Sequence, residues 1–158
     1  MSSKSPEYFE DLAVGDRFSS IEHQLDTGQI VEFARQFDPQ PFHTDPEAAA
    51  ESFFGGLVAS GWHTAAITMK LIVDALPLAD GVIGTGGHIE RPNPARPGDT
   101  LHVECTVQEV RQSRSKPDRG LVKVECRTLN QSDELCMRYV TTLVVTRRPE
   151  GGADALQV

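Results

Sequence analysis

A single long helical pattern lies among segments of β-strand character, and this combination limits the folds open to the chain. The helix is predicted to begin near Ser60-Gly61. Its apolar side chains recur at the spacing i, i+3, i+4 and i+7, which is typical of a helix with one buried face: Trp62, Ala65, Ala66, Met69, Ile72, Val73 and Leu76. We expect this stripe to face the protein interior, and we expect Lys70 and Asp74 to face solvent.

The segments around this helix predict strands. One weakly alternating segment precedes the helix at residues 17–25, and four follow it at residues 82–90, 101–110, 121–129 and 135–146. Turn-forming residues separate the later segments, as in the run Arg96-Pro97-Gly98-Asp99. We predict about five antiparallel strands and hence an α+β domain, in which a curved sheet wraps around one buried helix.

The length and composition of the chain are those of one globular domain. The chain has 158 residues, of which 39% are hydrophobic and 24% are charged. We assign residues 1–158 to a single domain with its core at about residues 7–147. The polar stretches at residues 1–8 and 148–158 are expected to be disordered tails.

The net charge of the chain argues against several kinds of partner. It is −8 at neutral pH, so the protein should repel nucleic acid and anionic membrane surfaces. No run of apolar residues approaches the roughly 20 that a membrane span needs. The N-terminal residues lack the apolar segment of a signal peptide. We therefore expect a cytoplasmic protein that binds neither nucleic acid nor membrane.

The cysteines indicate neither a disulfide framework nor a metal site. Cys105, Cys126 and Cys136 are odd in number, and no two of them stand at metal-ligand spacing. Their apolar neighbours predict that they behave as small buried hydrophobic residues. No other group of His, Cys, Asp and Glu suggests a metal ion, so none is predicted.

A proline-rich loop carries the pair of residues best suited to proton transfer. The helix before this loop must stop near Asp38, because Pro39 and Pro41 cannot continue it. His43 follows Asp38 by five residues, and the prolines reduce the conformational freedom that is lost when both side chains are held toward one point. An imidazole titrates near neutral pH, and a carboxylate can orient it or share a water molecule with it. The spacing alone also fits plain loop scaffolding, with Asp38 capping a turn.

The start of the long helix is a second candidate site. Backbone N–H groups and the positive end of the helix dipole lie there, so an anionic oxygen would be stabilised near Ser60 and Gly61. The same two residues also fit a structural interpretation, in which Ser60 is an N-cap and Gly61 permits close packing. His63 lies inside the helix, and we interpret it as structural.

Residues 38–46, with the sequence Asp-Pro-Gln-Pro-Phe-His-Thr-Asp-Pro, resemble the signature of the MaoC-like dehydratases. These are the (R)-specific enoyl-CoA hydratases with a hot-dog fold. Residues 8–16 and 96–101 resemble the same family, so the likeness extends over about residues 7–147. The resemblance implies a hot-dog domain with Asp38 and His43 as the catalytic residues. It also implies that the Gly61 N–H belongs to an oxyanion hole.

The resemblance further implies a reaction and its partners. The reaction would be the reversible hydration of a trans-2-enoyl-CoA to a (R)-3-hydroxyacyl-CoA, with coenzyme A as part of the substrate and no separate cofactor. A homodimer or higher homo-oligomer would place the acyl tunnel between protomers. Arg114 and Lys116 would meet the phosphates of coenzyme A, although a basic loop of this kind is otherwise simply solvated. The substrate would also contact Phe42, Ser60, Gly61 and Trp62.

The chain departs from the family pattern at four positions. Phe37 replaces the Gly that many members place before the catalytic Asp, and Gln40 replaces the family's Asn. Phe42 stands where many members have an aliphatic residue, and Ala66 stands where some members have a Ser. These changes bear on the preferred acyl group more than on the chemistry.

Two other functions stay open. One is a hot-dog thioesterase, for which Asp74 would be the helix carboxylate, but Asp74 lies far from the helix start. The other is a non-catalytic acyl-thioester-binding subunit, and the presence of both Asp38 and His43 argues against it.

Overall fold

The structure, a computed structural model, describes residues 5–150 and contains four α-helices within that range. A short 3₁₀ turn at Phe9–Asp11 precedes them. The helices are α1 (Thr27–Phe37), α2 (Pro41–Thr44), α3 (Pro46–Ala50) and α4 (Gly61–Ala75). None of them is long and apolar enough to cross a membrane.

One antiparallel sheet of six strands accounts for most of the remaining chain. The strands are β1 (Arg17–Ser19), β2 (His23–Gln24), β3 (Ile83–Glu90), β4 (Thr100–Gln112), β5 (Arg119–Leu129) and β6 (Leu135–Thr146). They lie in the order β1-β4-β5-β6-β3, and β2 also pairs with β4. The α+β prediction is confirmed, and the sheet and its helix form a hot-dog fold. The predicted first strand is two short strands instead of one, which gives six strands rather than about five.

The core lies between α4 and the concave face of the sheet. Helix α4 packs against β4 and β6. Strand β4 alternates as predicted for a half-buried strand, and its inward side chains Leu101, Val103 and Cys105 are at most 1% exposed. The helix contributes Leu71 and Ile72, which are equally buried.

The buried face of α4 differs from the stripe predicted from the sequence. Trp62, Met69 and Val73 are 64%, 40% and 54% exposed, and Ala66 is exposed too, although we expected all four in the core. The buried residues are His63, Thr64, Ile67, Thr68, Leu71, Ile72 and Ala75. The prediction was wrong because the helix has two apolar sides, and the inner side includes two threonines and a histidine that an apolar count treats as polar.

Capping residues and prolines set where the helices before α4 begin and end. Asp26 caps α1 by accepting a hydrogen bond from the Gln29 N–H at 2.8 Å. Helix α1 ends at Phe37, next to the prolines that were expected to stop it. The loop predicted over residues 38–45 contains the single-turn helix α2, because Pro41 is well suited to a first helical position.

Two backbone hydrogen bonds align three segments around the start of α4. The Val58 N–H donates to the Phe42 carbonyl at 3.2 Å, which joins the chain before α4 to α2. The Ala59 N–H donates to the Ala95 carbonyl at 2.9 Å, which joins the same segment to the chain after β3. The start of α4 is therefore held between the proline-rich loop and residues 91–96.

The described parts of both predicted tails contact the domain. The Glu7 N–H donates to the Pro77 carbonyl at 2.8 Å. Arg148 forms an ion pair with Asp11 at 2.6 Å. The rest of the predicted tails lies outside the described residues. The three cysteines are free and buried, and Cys105 faces Cys126 across β4 and β5.

We expect a buried hydroxyl pair between α4 and the sheet to be strongly coupled. The Oγ1 atoms of Thr68 and Thr128 lie 2.6 Å apart, and both residues are at most 1% exposed. Thr68→Val or Thr128→Val alone should lower the free energy of unfolding by about 1–3 kcal/mol, because each leaves a buried hydroxyl without its partner. The double variant should lose no more free energy of unfolding than either single variant, as measured by urea unfolding. Additive losses would show that the two hydroxyls act independently.

Candidate active site

A cavity of about 650 Å³ opens at the start of α4. Five parts of the chain enclose it: the proline-rich loop, the chain between α3 and α4, the first turn of α4, residues 91–96 after β3, and Cys136 at the start of β6. The lining includes Asp38, Gln40, His43, Phe53, Phe54, Val58, Ala59, Gly61, Trp62, Thr64, Arg91, Pro92, Asn93, Pro94, Arg96 and Cys136. The cavity therefore contains both members of the predicted acid/base pair.

The Asp38 carboxylate and the His43 imidazole face each other in this cavity. Asp38 Oδ2 lies 3.3 Å from His43 Nε2. The other ring nitrogen, Nδ1, lies 2.7 Å from the Val58 carbonyl oxygen. A carbonyl can only accept a hydrogen bond, so Nδ1 carries a proton. In the neutral imidazole, Nε2 then has a free lone pair on the side of the ring that faces Asp38.

Two side chains hold the Asp38 carboxylate in place. The Ser60 hydroxyl donates to Oδ2 at 2.6 Å, and the Gln40 amide donates to Oδ1 at 2.6 Å. Burial alone raises the pKa of Asp38, but these hydrogen bonds and the nearby His43 outweigh it and hold the pKa below its ordinary value. Asp38 is therefore an anion at neutral pH.

This arrangement suits proton transfer to and from a small molecule in the cavity. His43 offers a basic lone pair, and Asp38 offers a fixed negative charge that stabilises the imidazolium once a proton has arrived. A water molecule that reached both groups would be oriented by the carboxylate and deprotonated by the imidazole. The pair is thus equipped for general acid/base catalysis.

The first turn of α4 adds a backbone donor to the same cavity. Ser60 is the N-cap, and its hydroxyl accepts a hydrogen bond from the Trp62 N–H at 3.2 Å. Gly61 follows as the first helical residue and lines the cavity. Within residues 5–150, its N–H has no protein acceptor, as expected at a helix start. An oxygen that gains negative charge would be stabilised there.

Comparison with known proteins identifies the family. The model of the MaoC like domain matches residues 12–128. The chain belongs to the MaoC-like domain family. A protein of Bacillus subtilis (strain 168), the uncharacterized YdeM, is 32% identical over 126 residues, which cover 78% of this chain and 88% of that one.

Known crystal structures agree with this family. A MaoC-like dehydratase from Rhodospirillum rubrum is 56% identical, with a TM-score of 0.89 over 90% of this chain and 99% of that chain. The R-hydratase PhaJ1 from Pseudomonas aeruginosa has the same fold, with a TM-score of 0.74 at 24% identity, over 89% of this chain and 86% of that chain.

The MaoC-like domain brings most of the predicted site residues together. Asp38, His43, Gly61 and Trp62 line the cavity. Ser60 is fully buried, and its hydroxyl donates to Oδ2 of Asp38, the oxygen that also faces His43. Phe42 packs edge-on against His43 and Phe54 instead of lining the cavity. Arg114 and Lys116 lie in the β4–β5 loop and are not among the lining residues, so their contact with a substrate remains a prediction.

Sequence reasoning missed several parts of the site. It noted Gln40 only as a departure from the family, although Gln40 binds Asp38 directly. It missed the Val58 carbonyl, because a backbone acceptor leaves no signal in the sequence. It also missed Arg91 and Arg96, which line the cavity. A signal existed for these two residues, because Pro92 and Pro94 stiffen their segment as prolines stiffen the loop of Asp38.

The other candidate residues of the MaoC-like domain lie outside this chemistry. His63 is buried and stacks on Phe33 with ring centroids 4.5 Å apart, in line with the structural interpretation. Burial lowers the pKa of His63. Across residues 5–150, no group of three or more His, Cys, Asp and Glu residues could hold a metal ion.

Cys136 is a thiol in the wall of the cavity. Burial, assisted by the negative charges of Asp99 and Glu134, raises its pKa to about 11. At neutral pH the thiol is therefore protonated and is a poor nucleophile.

The hydrogen bond between Ser60 and Asp38 should make stability depend on pH. At pH 7, Ser60→Ala should remove about 1 kcal/mol of helix capping and about 2 kcal/mol of hydrogen bonding to the charged carboxylate. The pKa of Asp38 is lowered in the folded protein, so this stabilisation is present above the ordinary carboxyl pKa of about 4 and is lost as the pH falls through the folded value. The share due to the helix cap, about 1 kcal/mol, should stay at every pH.

The matched control is Ser60→Ala in an Asp38→Asn background. There the loss of stability should be the same at pH 7 and pH 3, as measured by urea unfolding at both pH values. A loss that is also independent of pH in the wild-type background would show that Ser60 does not stabilise the charged carboxylate.

Proposed function

We propose that this protein catalyses the reversible addition of water to a trans-2-enoyl-CoA, giving a (R)-3-hydroxyacyl-CoA. The observation that carries the proposal is the position of the basic Nε2 of His43, the Asp38 carboxylate and the Gly61 N–H in one cavity. The MaoC-like dehydratase of Rhodospirillum rubrum and the R-hydratase PhaJ1, whose names state related reactions, support the same reaction class.

In the proposed reaction, His43 is the general base. Its Nε2 accepts a proton from a water molecule as the water oxygen bonds to C3 of the substrate. The electron pair of the double bond moves toward the thioester, and C2 then takes the proton from the imidazolium. Asp38 remains an anion throughout, orients the water and stabilises the imidazolium. Acid/base assistance of this kind contributes about 100- to 10,000-fold in rate.

The Gly61 N–H is the proposed donor to the thioester oxygen. That oxygen gains negative charge as water adds, and a fixed backbone donor stabilises the charge without reorganisation. One such donor is worth about 100- to 1,000-fold in kcat. Arg114 and Lys116 remain the proposed contacts of the coenzyme A phosphates, and coenzyme A is part of the substrate rather than a separate cofactor.

The position of the acidic residues disfavours hydrolysis of the thioester. Asp74, the helix carboxylate that a hot-dog thioesterase would need, accepts a hydrogen bond from the Ile21 N–H at 2.8 Å and is not among the cavity-lining residues. Absorbance separates the two reactions. Hydration removes the conjugated enoyl thioester chromophore without releasing free thiol, whereas hydrolysis releases it.

Asp38→Asn and His43→Ala should each remove most of the hydration activity and leave the fold intact. The reason is that each variant removes one member of the acid/base pair. The measurement is kcat with crotonyl-CoA, with circular dichroism to check the fold. His102→Ala, on β4 and outside the cavity lining, is the matched control and should retain wild-type kcat. If either site variant keeps more than about a tenth of wild-type kcat, the acid/base role assigned to that residue is wrong.

We also propose that the protein forms a homodimer through β3 and the outer side of α4. All eight residues of β3 are exposed, and in the described chain β3 pairs only with β6, so one edge of the sheet is open. Met69 and Val73 are exposed apolar residues on α4, and Met69 lines a small pocket together with Ile89 of β3. Pairing two β3 edges would close the sheet and cover these side chains.

Val73→Glu should convert the dimer into a monomer of about 17 kDa, because it places a charge in the proposed interface. The mass is measured by equilibrium sedimentation at micromolar concentration. Val14→Glu is the matched control, since Val14 is 65% exposed and lies on the N-terminal segment before β1. A wild-type monomer with full activity would contradict the proposed dimer.

A further inference from the structure

The cavity carries more positive than negative charge, although the chain as a whole is acidic. The net charge of the chain is −8. Among the residues that line the cavity, however, Arg91 and Arg96 outnumber the single carboxylate of Asp38. That carboxylate is already bound by Ser60, Gln40 and His43. The two arginines therefore leave an excess of positive charge for a substrate.

Arg96 has a structural partner, whereas Arg91 does not have one of opposite charge. The Arg96 guanidinium donates to the Phe54 carbonyl at 3.0 Å and so holds the chain between α3 and α4. Arg91 forms no ion pair with any carboxylate in residues 5–150. Its guanidinium lies 5.8 Å from the centre of the Trp62 ring.

Arg91 also lies directly against Gly61. A Cβ atom placed on Gly61 would be 2.6 Å from Arg91 Nε and 2.7 Å from Cζ. A glycine at this position thus leaves room for the guanidinium. A side chain at Gly61 would therefore meet the Arg91 guanidinium.

The segment that carries Arg91 is held in place. Pro92 and Pro94 restrict its backbone. The Asn93 side chain donates to the Leu135 carbonyl at 2.9 Å, which fixes the segment to β6. The exposed guanidinium therefore extends from a rigid stretch of backbone to the Gly61 wall of the cavity.

We infer that Arg91 binds a carboxylate on the acyl group, so that the preferred substrate is a short enoyl thioester with a second carboxylate at its double bond. The inference rests on the proposed function, in which the Gly61 N–H holds the thioester oxygen. A group bound by Arg91 then lies next to the thioester. The phosphates of coenzyme A are separated from the thioester by the whole pantetheine arm, which places them too far away to be this group.

The test compares two thioesters that differ only at C4. Fumaryl-CoA has a carboxylate where crotonyl-CoA has a methyl group. The wild-type protein should have the higher kcat/KM with fumaryl-CoA. Arg91→Met should lower the ratio of kcat/KM for fumaryl-CoA to that for crotonyl-CoA by about 10- to 100-fold, the scale of a lost hydrogen bond to a charged group. Arg91→Lys, which retains the charge, should restore part of the ratio.

Two controls identify the group that Arg91 binds. Arg17→Met, on the exposed strand β1 at the other end of the sheet, should leave the ratio unchanged. The pantetheine thioesters of the two acids, which lack the coenzyme A phosphates, should show the same dependence on Arg91. The inference would be overturned if Arg91→Met lowered kcat/KM equally for the fumaryl and crotonyl thioesters. It would also be overturned if the effect of Arg91→Met on the ratio disappeared with the pantetheine thioesters. A wild-type preference for crotonyl-CoA would overturn it as well.

Failure of the proposed function is recognised separately. If the wild-type protein hydrates neither thioester, the proposed reaction is wrong. The dissociation constants of the two thioesters, measured by calorimetry with wild-type and Arg91→Met protein, then still test Arg91. Tighter binding of fumaryl-CoA that depends on Arg91 supports the inference, and equal binding of the two thioesters overturns it.

Discussion

The hydrogen bond from Ser60 to Asp38 is the interaction on which the site depends. It joins the first residues of α4 to the proline-rich loop, which are 22 positions apart in the sequence. The same hydroxyl also accepts from the Trp62 N–H. One side chain therefore caps the helix and orients the carboxylate, so the backbone donor at Gly61 and the acid/base pair are held in one fixed relation.

Much of the fold could be predicted because its signals are local. The prolines that stop α1, the cap at Asp26 and the alternating pattern of β4 each act within a few residues. The buried side of α4 could not be predicted in this way. Its polar members are placed by partners far along the chain, as Thr68 is placed by Thr128, and no pattern within the helix records such a partner.

The candidate site shows the same division between local and distant causes. Asp38 and His43 could be found because two prolines and a family resemblance mark their loop. The groups that set the proton position on His43 and the charge of the cavity could not be found so readily. The Val58 carbonyl fixes the proton on His43, and Arg91 reaches the cavity only because the segment after β3 returns to the start of α4. Both depend on how the strands and helices are assembled.

Cys136 has a consequence for the chemical durability of the protein. An enoyl thioester is an electrophile, and a thiolate adds to its C3 just as water does. Cys136 lies in the wall of the cavity that would hold this electrophile. Because its pKa is raised to about 11, only a very small fraction of the thiol is ionised at neutral pH. The buried, protonated thiol thereby protects the protein from alkylation by the compound that we propose as its substrate.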